Sequence, residues 1–598
     1  MEKKAKKAPE KKEVSSFERL IEVGISLSAE RDTNRLMETI LLEAKGLSNA
    51  DGGTLYLKTE DDTLKFEIVR TDSLKIAMGG TTGKEITFPS VALYDPETGK
   101  ENKSNVASCA ALTGESINIP DAYDSKDFDF TGTRKFDEGT GYRSKSFLTV
   151  PMKNSMDEII GVLQLLNAQD RETGEVIPFG GDIQPLIEAL ASQAAVALDN
   201  KQLLDAQKLL LDSFIELIAS AIDAKSSYAG GHCQRVPELT KMLAQAACDA
   251  KEGPFADFDL TEDEWYELHI SAWLHDCGKV TTPEYVVDKA TKLETIYDRI
   301  HEIRTRFEVV KREAEIEYLK AVAEGNGDAK KLRAELDDRL AKLDDDFAFI
   351  AESNIGGEFM APERIERVKE IANNKWTRTL DDRIGLSQEE KKRKDRTPAP
   401  ELPIVENLLS DRDDHIVYRE DEPVAAKDDK FGFKLDVPER KFNFGEIYNL
   451  CIARGTLTEE ERFKINDHIV QTIVMLGQLP FPEHLKRVPE YAGGHHEKMD
   501  GTGYPKKLNK DQMSIPARIM AIADIFEALT AADRPYKTPK TLSDSVKIMS
   551  FMKKDAHIDE DLFKLFLTSG VYKDYADRFL DDEQNDDVDI NEYLNGDD

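Results

Sequence analysis

The sequence predicts a multidomain protein in three parts: an α+β module built on an antiparallel sheet with flanking helices, a long linker helix, and an all-α bundle carrying a large, mainly helical insertion. Three observations predict it. Strand-like alternation is concentrated before about residue 170. Between Asp182 and Ser226 no glycine, and no proline except Pro185, interrupts a helical pattern. Beyond it the apolar spacing is mostly helical, and histidines fall beside aspartate, glycine and lysine. A length of 598 residues suits three to five domain-sized units.

Residues 1–14 are lysine-rich and too polar to bury a core, which predicts a disordered basic tail. The first folded part is expected over 15–182. A helical pattern runs from Phe17 to about Leu47, and strands are expected at 53–57, 64–69, 116–119, 146–150 and 159–166. The linker helix is assigned to 183–222. Leu190, Ala197, Leu204, Leu211 and Ile218 recur along it every seven residues, a coiled-coil spacing that points to a parallel homodimer, although Lys201 and Lys208 interrupt the stripe.

The helical bundle is expected over 223–570, with an insertion at about 293–442. The insertion opens as a helical hairpin broken at Gly325-Asn326-Gly327-Asp328, and its proline-rich and polar second part reads as irregular. Residues 571–598 read as an acidic tail. Its run Asp586-Asp587-Val588-Asp589 lacks the central glycine of a calcium loop.

With Lys+Arg 81 against Asp+Glu 116, the net charge of −35 repels nucleic acid and anionic membranes, so any phosphate ligand needs a local cationic pocket. Cys109, Cys233, Cys248, Cys277 and Cys451 lack zinc-cluster spacing and read as free thiols. No run of 18 uncharged apolar residues predicts a membrane span, and Met1 to Glu13 lacks the apolar core of a secretory signal. These features predict a cytoplasmic protein.

Two motifs carry chemistry: His275-Asp276-Cys277-Gly278-Lys279, and His495-His496 followed by Gly501-Thr502-Gly503-Tyr504-Pro505. Imidazole and carboxylate groups suit first-row divalent metals, and one carboxylate can bridge two ions. Asp276 is the expected bridge, and Lys279 an expected cation for a phosphate oxygen. Thr458 and Glu461 form a capping-box pattern that starts a helix bearing His468. Ile515-Pro516 starts another that bears Asp524.

Over roughly 17–200 the chain resembles a GAF domain, a small-molecule sensor module, through Ala50-Asp51-Gly52-Gly53-Thr54-Leu55-Tyr56-Leu57, Leu112 to Ile117, Pro120 to Tyr123 and Gly161 to Asn167. Lys126, Phe136-Asp137-Glu138 and Thr140 to Arg143 are similar to part of the motif of cyclic-nucleotide-binding GAF domains. A small-molecule ligand there is the implied cofactor, with a fold-stabilising role for these residues as the other reading.

From about Phe214 to Phe566 the chain resembles the bacterial HD-GYP family of cyclic di-GMP phosphodiesterases. The matching blocks are Gly231 to Val236, Leu274 to Lys279, Gly455 to Thr458 with His468, His495 to Pro505, and Ile515 through Asp524 to Lys537. The resemblance implies His232, His275, Asp276, His468, His495, His496 and Asp524 as ligands to two divalent transition metal ions, iron or manganese. It implies Asp276 and Lys279 as catalytic residues, and Tyr504, Arg534 and Lys537 as contacts to cyclic di-GMP. His301 competes with His468, which family order favours. Tyr228 stands where some members carry a glutamate for a third ion. The implied activity is hydrolysis of cyclic di-GMP to pGpG or GMP under GAF control. A catalytically silent nucleotide sensor that acts through signalling protein partners, and a hydrolase of another phosphate substrate, are the competing readings.

Overall fold

A computed structural model describes residues 16–225, 231–426, 431–532 and 539–594. The chain divides into two compact units, Met1–Leu211 and Asp212–Asp598.

In the first unit, α1 (Ser16–Ala29) and α2 (Thr33–Ser48) precede strands β1 (Ala50–Lys58), β2 (Thr63–Thr71), β3 (Ile76–Gly79) and β4 (Val91–Ala92). Then come α3 (Val106–Thr113), β5 (Ile117–Ile119), α4 (Thr131–Thr140), β6 (Phe147–Lys153), β7 (Ile159–Gln169) and β8 (Val176–Ile177), and the 43-residue α5 (Ile183–Lys225) begins in this unit and runs past its end at Leu211. The helical pattern expected from Phe17 to Leu47 is two helices. Asp32 ends the run by accepting the Arg35 N–H at 2.8 Å as the N-cap of α2, a signal hidden inside continuous apolar spacing.

The antiparallel sheet has the order β3-β2-β1-β7-β6-β5, with β4 on β2 and β8 on β7. Alternation along each strand sorts the side chains. Leu55, Leu163 and Leu165 face a core shared with Leu36, Ile40 and Leu41 of α2 and Ile187, Leu190 and Ala194 of α5, while Tyr56 and Val162 face a core with Ala107 and Ala111 of α3. Asp137 of the partial cyclic-nucleotide motif is buried and accepts from Tyr123 Oη at 2.9 Å and from Ser144 N and Oγ at 2.8 Å, which is a fold-stabilising role.

The second unit contains α6 (His232–Asp249), α7 (Glu262–Leu274), α8 (Glu284–Val287), the hairpin α9 (Ile300–Ala323) and α10 (Ala329–Asn354), α11 (Pro362–Ala372) and α12 (Gln388–Lys394). After them come α13 (Glu446–Leu450), α14 (Glu459–Gly477), α15 (Val488–Gly494), α16 (Ile515–Thr530), α17 (Leu542–Lys554), α18 (Glu560–Thr568), α19 (Val571–Phe579) and α20 (Asn591–Leu594). Its main core joins Val236 and Leu243 of α6, Leu268 of α7, Ile522 and Phe526 of α16, and Phe563 and Phe566 of α18.

Two expectations are corrected here. The second part of the insertion is not irregular: β9 (Lys375–Arg378) pairs with β10 (Ile404–Asn407) and β11 (Ile416–Tyr418) with β12 (Arg440–Asn443). Leu408, Leu409, Val368 and Ile371 close a separate core over Ile303, Phe307 and Ile350 of the hairpin. The acidic tail from 571 is not solvated as a whole. Val571, Tyr575 and Ala576 are buried, Val588, Ile590 and Tyr593 pack against the main core, and Gln584 Nε2 donates to the Thr530 and Lys540 carbonyls at 2.9 Å. A few apolar side chains at helical spacing outweigh the surrounding charge. Among the described residues no helix is long and apolar enough to cross a membrane.

Candidate metal centre

Five segments of the second unit converge. Gly231, at φ +89, turns the chain so that α6 begins at His232. A capping box between Thr261 and Glu264 starts α7, whose C-terminal end delivers His275 and Asp276. A second box between Thr458 and Glu461 starts α14, and the buried Lys289 Nζ holds Glu461 at 2.8 Å. His468 lies on the third turn of α14. Helix α15 ends at Gly494 and hands over His495 and His496. Ser514 caps α16, with Pro516 in its first turn, and α16 carries Asp524.

Gly278 permits the closest approach. A Cβ there would lie 1.9 Å from the His468 carbonyl oxygen and 2.6 Å from Thr472 N, and the Gly278 N–H donates to Thr472 Oγ1 at 2.9 Å. Asp276 is thereby held against α14.

The donor atoms form two overlapping quartets, Asp276-His468-His495-His496 and His232-His275-Asp276-Asp524, each with all atoms within 4.8 Å of one another. Asp276 belongs to both. Its Oδ1 is 3.1 Å from His468 Nε2, and its Oδ2 is 3.2 Å from both His232 Nε2 and His275 Nε2. Asp524 Oδ1 lies 3.4 Å from His232 Nε2 and 3.8 Å from His275 Nε2.

Three imidazoles share one device. Nδ1 of His275 lies 2.7 Å from the Ala272 carbonyl, Nδ1 of His495 lies 2.6 Å from that of Ala492, and Nδ1 of His468 meets that of Ile465. A proton held on Nδ1 leaves Nε2 as a bare lone pair facing inward. Asp276 Oδ1, His468 Nε2 and His495 Nε2 are buried without a hydrogen-bond partner. Unmatched acceptors buried together, all nitrogen or oxygen, are the donor set that a divalent transition metal takes. These residues fit such an ion.

The electrostatics follow from burial and close charge. Burial pushes His495 down to about 4, helped by the neighbouring His275, and pushes His496 well below its usual range. Burial opposes the charged form of Asp276 too, but Lys279 and His275 hold its carboxyl well below the usual carboxylate range. Lys279 Nζ is 2.5 Å from Asp276 Oδ2. Against the pull of burial, Asp276 and Asp524 raise its pKa, so Lys279 is a fixed cation at physiological pH. The Tyr504 ring stacks on His496 with centroids 4.9 Å apart.

Two residues that sequence reasoning missed complete the shell. Glu527, fully buried one turn after Asp524, faces His232 Nδ1 at 2.5 Å. Arg235, one turn after His232, donates Nε and Nη2 to Glu527 at 2.8 and 2.6 Å. Burial opposes the charge on Glu527, yet His232 and Arg235 bring it down to about 2, while Glu527 and Asp276 lift His232 to about 10 against the same burial. The i, i+3 spacing of each to a recognised histidine or aspartate is the signal that could have found them. Glu497, also buried, accepts the Lys506 and Leu508 N–H groups at 2.6 and 2.9 Å and so shapes the Gly-Tyr-Pro turn. His301 lies exposed on α9 beside Arg304, away from both quartets. Arg534, Lys537 and Tyr228 lie outside the described residues.

A family model described as an HD domain matches residues 403–562, and one described as a GAF domain matches residues 32–198. The chain carries a GAF domain and an HD domain. The HD match includes His468, His495, His496 and Asp524, and begins at 403, within the stretch read as an insertion. Geometry alone joins His232, His275 and Asp276 to it.

The chain is similar to a 3'3'-cGAMP-specific phosphodiesterase of Vibrio cholerae, 37% identical over 113 residues that make up 19% of this chain and 25% of the relative. It is also similar to a probable cyclic di-GMP phosphodiesterase of the same organism, 32% identical over 23% of this chain and 32% of the relative. A cyclic di-GMP phosphodiesterase of Pseudomonas aeruginosa is 38% identical over 13% of this chain and 18% of its own length. The chain thus spans a third or less of each of these relatives.

Proposed function

We propose that this protein is a metal-dependent phosphodiesterase that opens cyclic di-GMP to pGpG or GMP under control of its GAF domain. The observation that carries the proposal is the pair of buried quartets sharing Asp276. Two divalent ions, iron or manganese, held by His232, His275, Asp276, His468, His495, His496 and Asp524, would supply an activated water and neutralise charge developing on a phosphate. Lys279 adds a fixed positive charge beside Asp276 for a phosphoryl oxygen. Tyr504, with one ring face on His496, shapes the rim that orients the dinucleotide. Arg534 and Lys537, outside the described residues, are assigned to the dinucleotide's phosphates on the sequence motif alone.

Relatives named for 3'3'-cGAMP support a second substrate reading in which that mixed dinucleotide is preferred. All five cysteines are free, which supports a reducing, cytoplasmic setting. Along α5, Leu203, Leu204, Leu210 and Leu217 are more than half exposed, which supports a homodimer through this helix. Signalling proteins are proposed as further partners.

The test is turnover of cyclic di-GMP and of 3'3'-cGAMP by anaerobically purified protein loaded with manganese or iron, with products separated by chromatography. Linear product is expected from the unsubstituted chain and none from His275→Ala with Asp276→Ala. Equal turnover in the double variant would sink the proposal.

A further inference from the structure

Within the second unit, away from the quartets, the insertion and the segment after it line an open cavity of about 740 Å³. That volume is within the usual span of small-molecule sites. Its wall is rich in charge, and most of that charge is already matched. Glu446 is held by Arg306, Glu406 by Arg378 at 2.9 Å, Asp382 by Lys394 at 2.7 Å, and Asp414 by Lys394 at 2.9 Å and Arg412 at 3.1 Å.

Two lining arginines stand outside these pairs. Arg299 donates Nε to the Leu293 carbonyl at 3.2 Å and Nη1 to that of Phe444, and Arg393 donates Nε to the Asp414 carbonyl at 3.3 Å. Both are half-buried, and neither has a carboxylate within ion-pair distance among the described residues. Of the lining carboxylates not held in pairs, Glu302 is exposed and Glu390 half-exposed. Burial lowers the pKa of Arg299, an effect that Glu446 and Glu302 partly offset.

Aromatic surface lies alongside. Tyr285 and Trp376 line the same cavity, and Trp376 Nε1 is a buried donor without an acceptor. His415, also in the wall, accepts the Arg412 N–H on Nδ1 at 3.4 Å, which leaves its Nε2–H as another donor.

We propose that this cavity is a second ligand site, taking a phosphate ester that carries a planar heterocycle, in the manner of a mononucleotide. Guanidinium forks with unused N–H groups match phosphate oxygens, and flat side chains match a base. The paired carboxylates are already spent on their own cations, so they do not repel the anion as free charges would. The site gives the insertion a task distinct from the metal centre.

The experiment is equilibrium dialysis of the full chain against GMP in excess chelator, so that binding at the metal centre is removed from the measurement. One saturable site is expected, with ribose 5-phosphate binding more weakly. Arg299→Gln with Arg393→Gln should weaken GMP roughly tenfold or more, as expected for lost charge-assisted hydrogen bonds. His275→Ala with Asp276→Ala should leave it unchanged. Absence of saturable binding, equal affinity in the arginine variant, or loss of binding in the His275 and Asp276 variant overturns the proposal, and ribose 5-phosphate matching GMP overturns its aromatic part. A second measurement needs no arginine variant. With Trp265→Phe and Trp273→Phe, Trp376 is the remaining one of the chain's 3 tryptophans, and its emission should change with GMP along the same saturation curve. A saturated site with unaltered emission places the ligand elsewhere.

Discussion

Glu527 reaches His232 Nδ1 from another helix, so the orientation of that ring depends on Glu527 and, behind it, Arg235. Glu527→Gln is expected to lower metal retention about 10- to 100-fold, the usual effect of losing such a support, with helix content unchanged. Metal content after chelator challenge, set beside far-ultraviolet circular dichroism, checks it; full retention would show that Glu527 is only structural. His415 allows a prediction on pH. Burial and Arg412 bring it down to about 4, whereas an unfolded histidine titrates near 6.5. Below pH 6.5 the unfolded chain takes a proton that the folded chain refuses, so this group's stabilisation is present above 6.5 and is lost as pH falls towards 4. Urea midpoints at pH 7 and pH 5 should therefore fall further apart for the unsubstituted chain than for His415→Gln, and equal separations would refute the assignment. At this scale the His-Asp dipeptide is weak evidence by itself, since six of the chain's 10 histidines adjoin an aspartate or glutamate, and it is the resemblance to the HD-GYP family that singles out His275-Asp276 and His495-His496. Glu527 and Arg235 were not legible, because single charged residues on helices are common and nothing local distinguishes one that is buried.

Among the elements, the contact between the turn after α7 and α14 is the tightest constraint on the centre. Gly278→Val would place a branched side chain where even a Cβ meets the His468 carbonyl at 1.9 Å. The helix must retreat, at an expected destabilisation of about 1–3 kcal/mol, and Asp276 then separates from His468. A lowered melting temperature together with lost metal binding is the expected result; a normal melting temperature with normal metal content would show that α14 yields without consequence. The starts of α7, α14 and α16 follow local rules, a capping box or a proline in the first turn, and the boxes and proline of α14 and α16 are legible in sequence. The small sheets β9-β10 and β11-β12 were not, because strands of 3 or 4 residues are too short to show a period and owe their shape to the hairpin they cover. The packed segment after 571 was hidden in the same way, its apolar side chains scattered among aspartates.

For the molecule as a whole, the exposed face of α5 has the largest consequence. Leucines recur at 203, 210 and 217 and again at 204 and 211, and Leu203, Leu210 and Leu217 are 59%, 57% and 63% exposed. A fully buried leucine is worth about 1.5–3 kcal/mol, so several of them aligned against a second copy suffice for a micromolar dimer. Sedimentation should show a dimer for the unsubstituted chain and a monomer after Leu203→Asp, Leu210→Asp and Leu217→Asp; a monomer in both cases, or a dimer in both, rules out this helix as the contact. The division into an α+β part and a helical part was legible because period and composition change at the same place. The path of the insertion was not, since its core is closed by residues as far apart as Leu293 and Leu450.

Three of the histidines are aimed by main-chain carbonyls three positions behind them, at Ala272, Ile465 and Ala492. A carbonyl survives every substitution, so the neighbours of these histidines are free to drift over evolutionary time without disturbing the lone pairs. His232 has no such insurance: a single codon change at a residue 295 positions away can turn its ring. Descendants that have lost the proposed metal site should therefore first be sought at position 527.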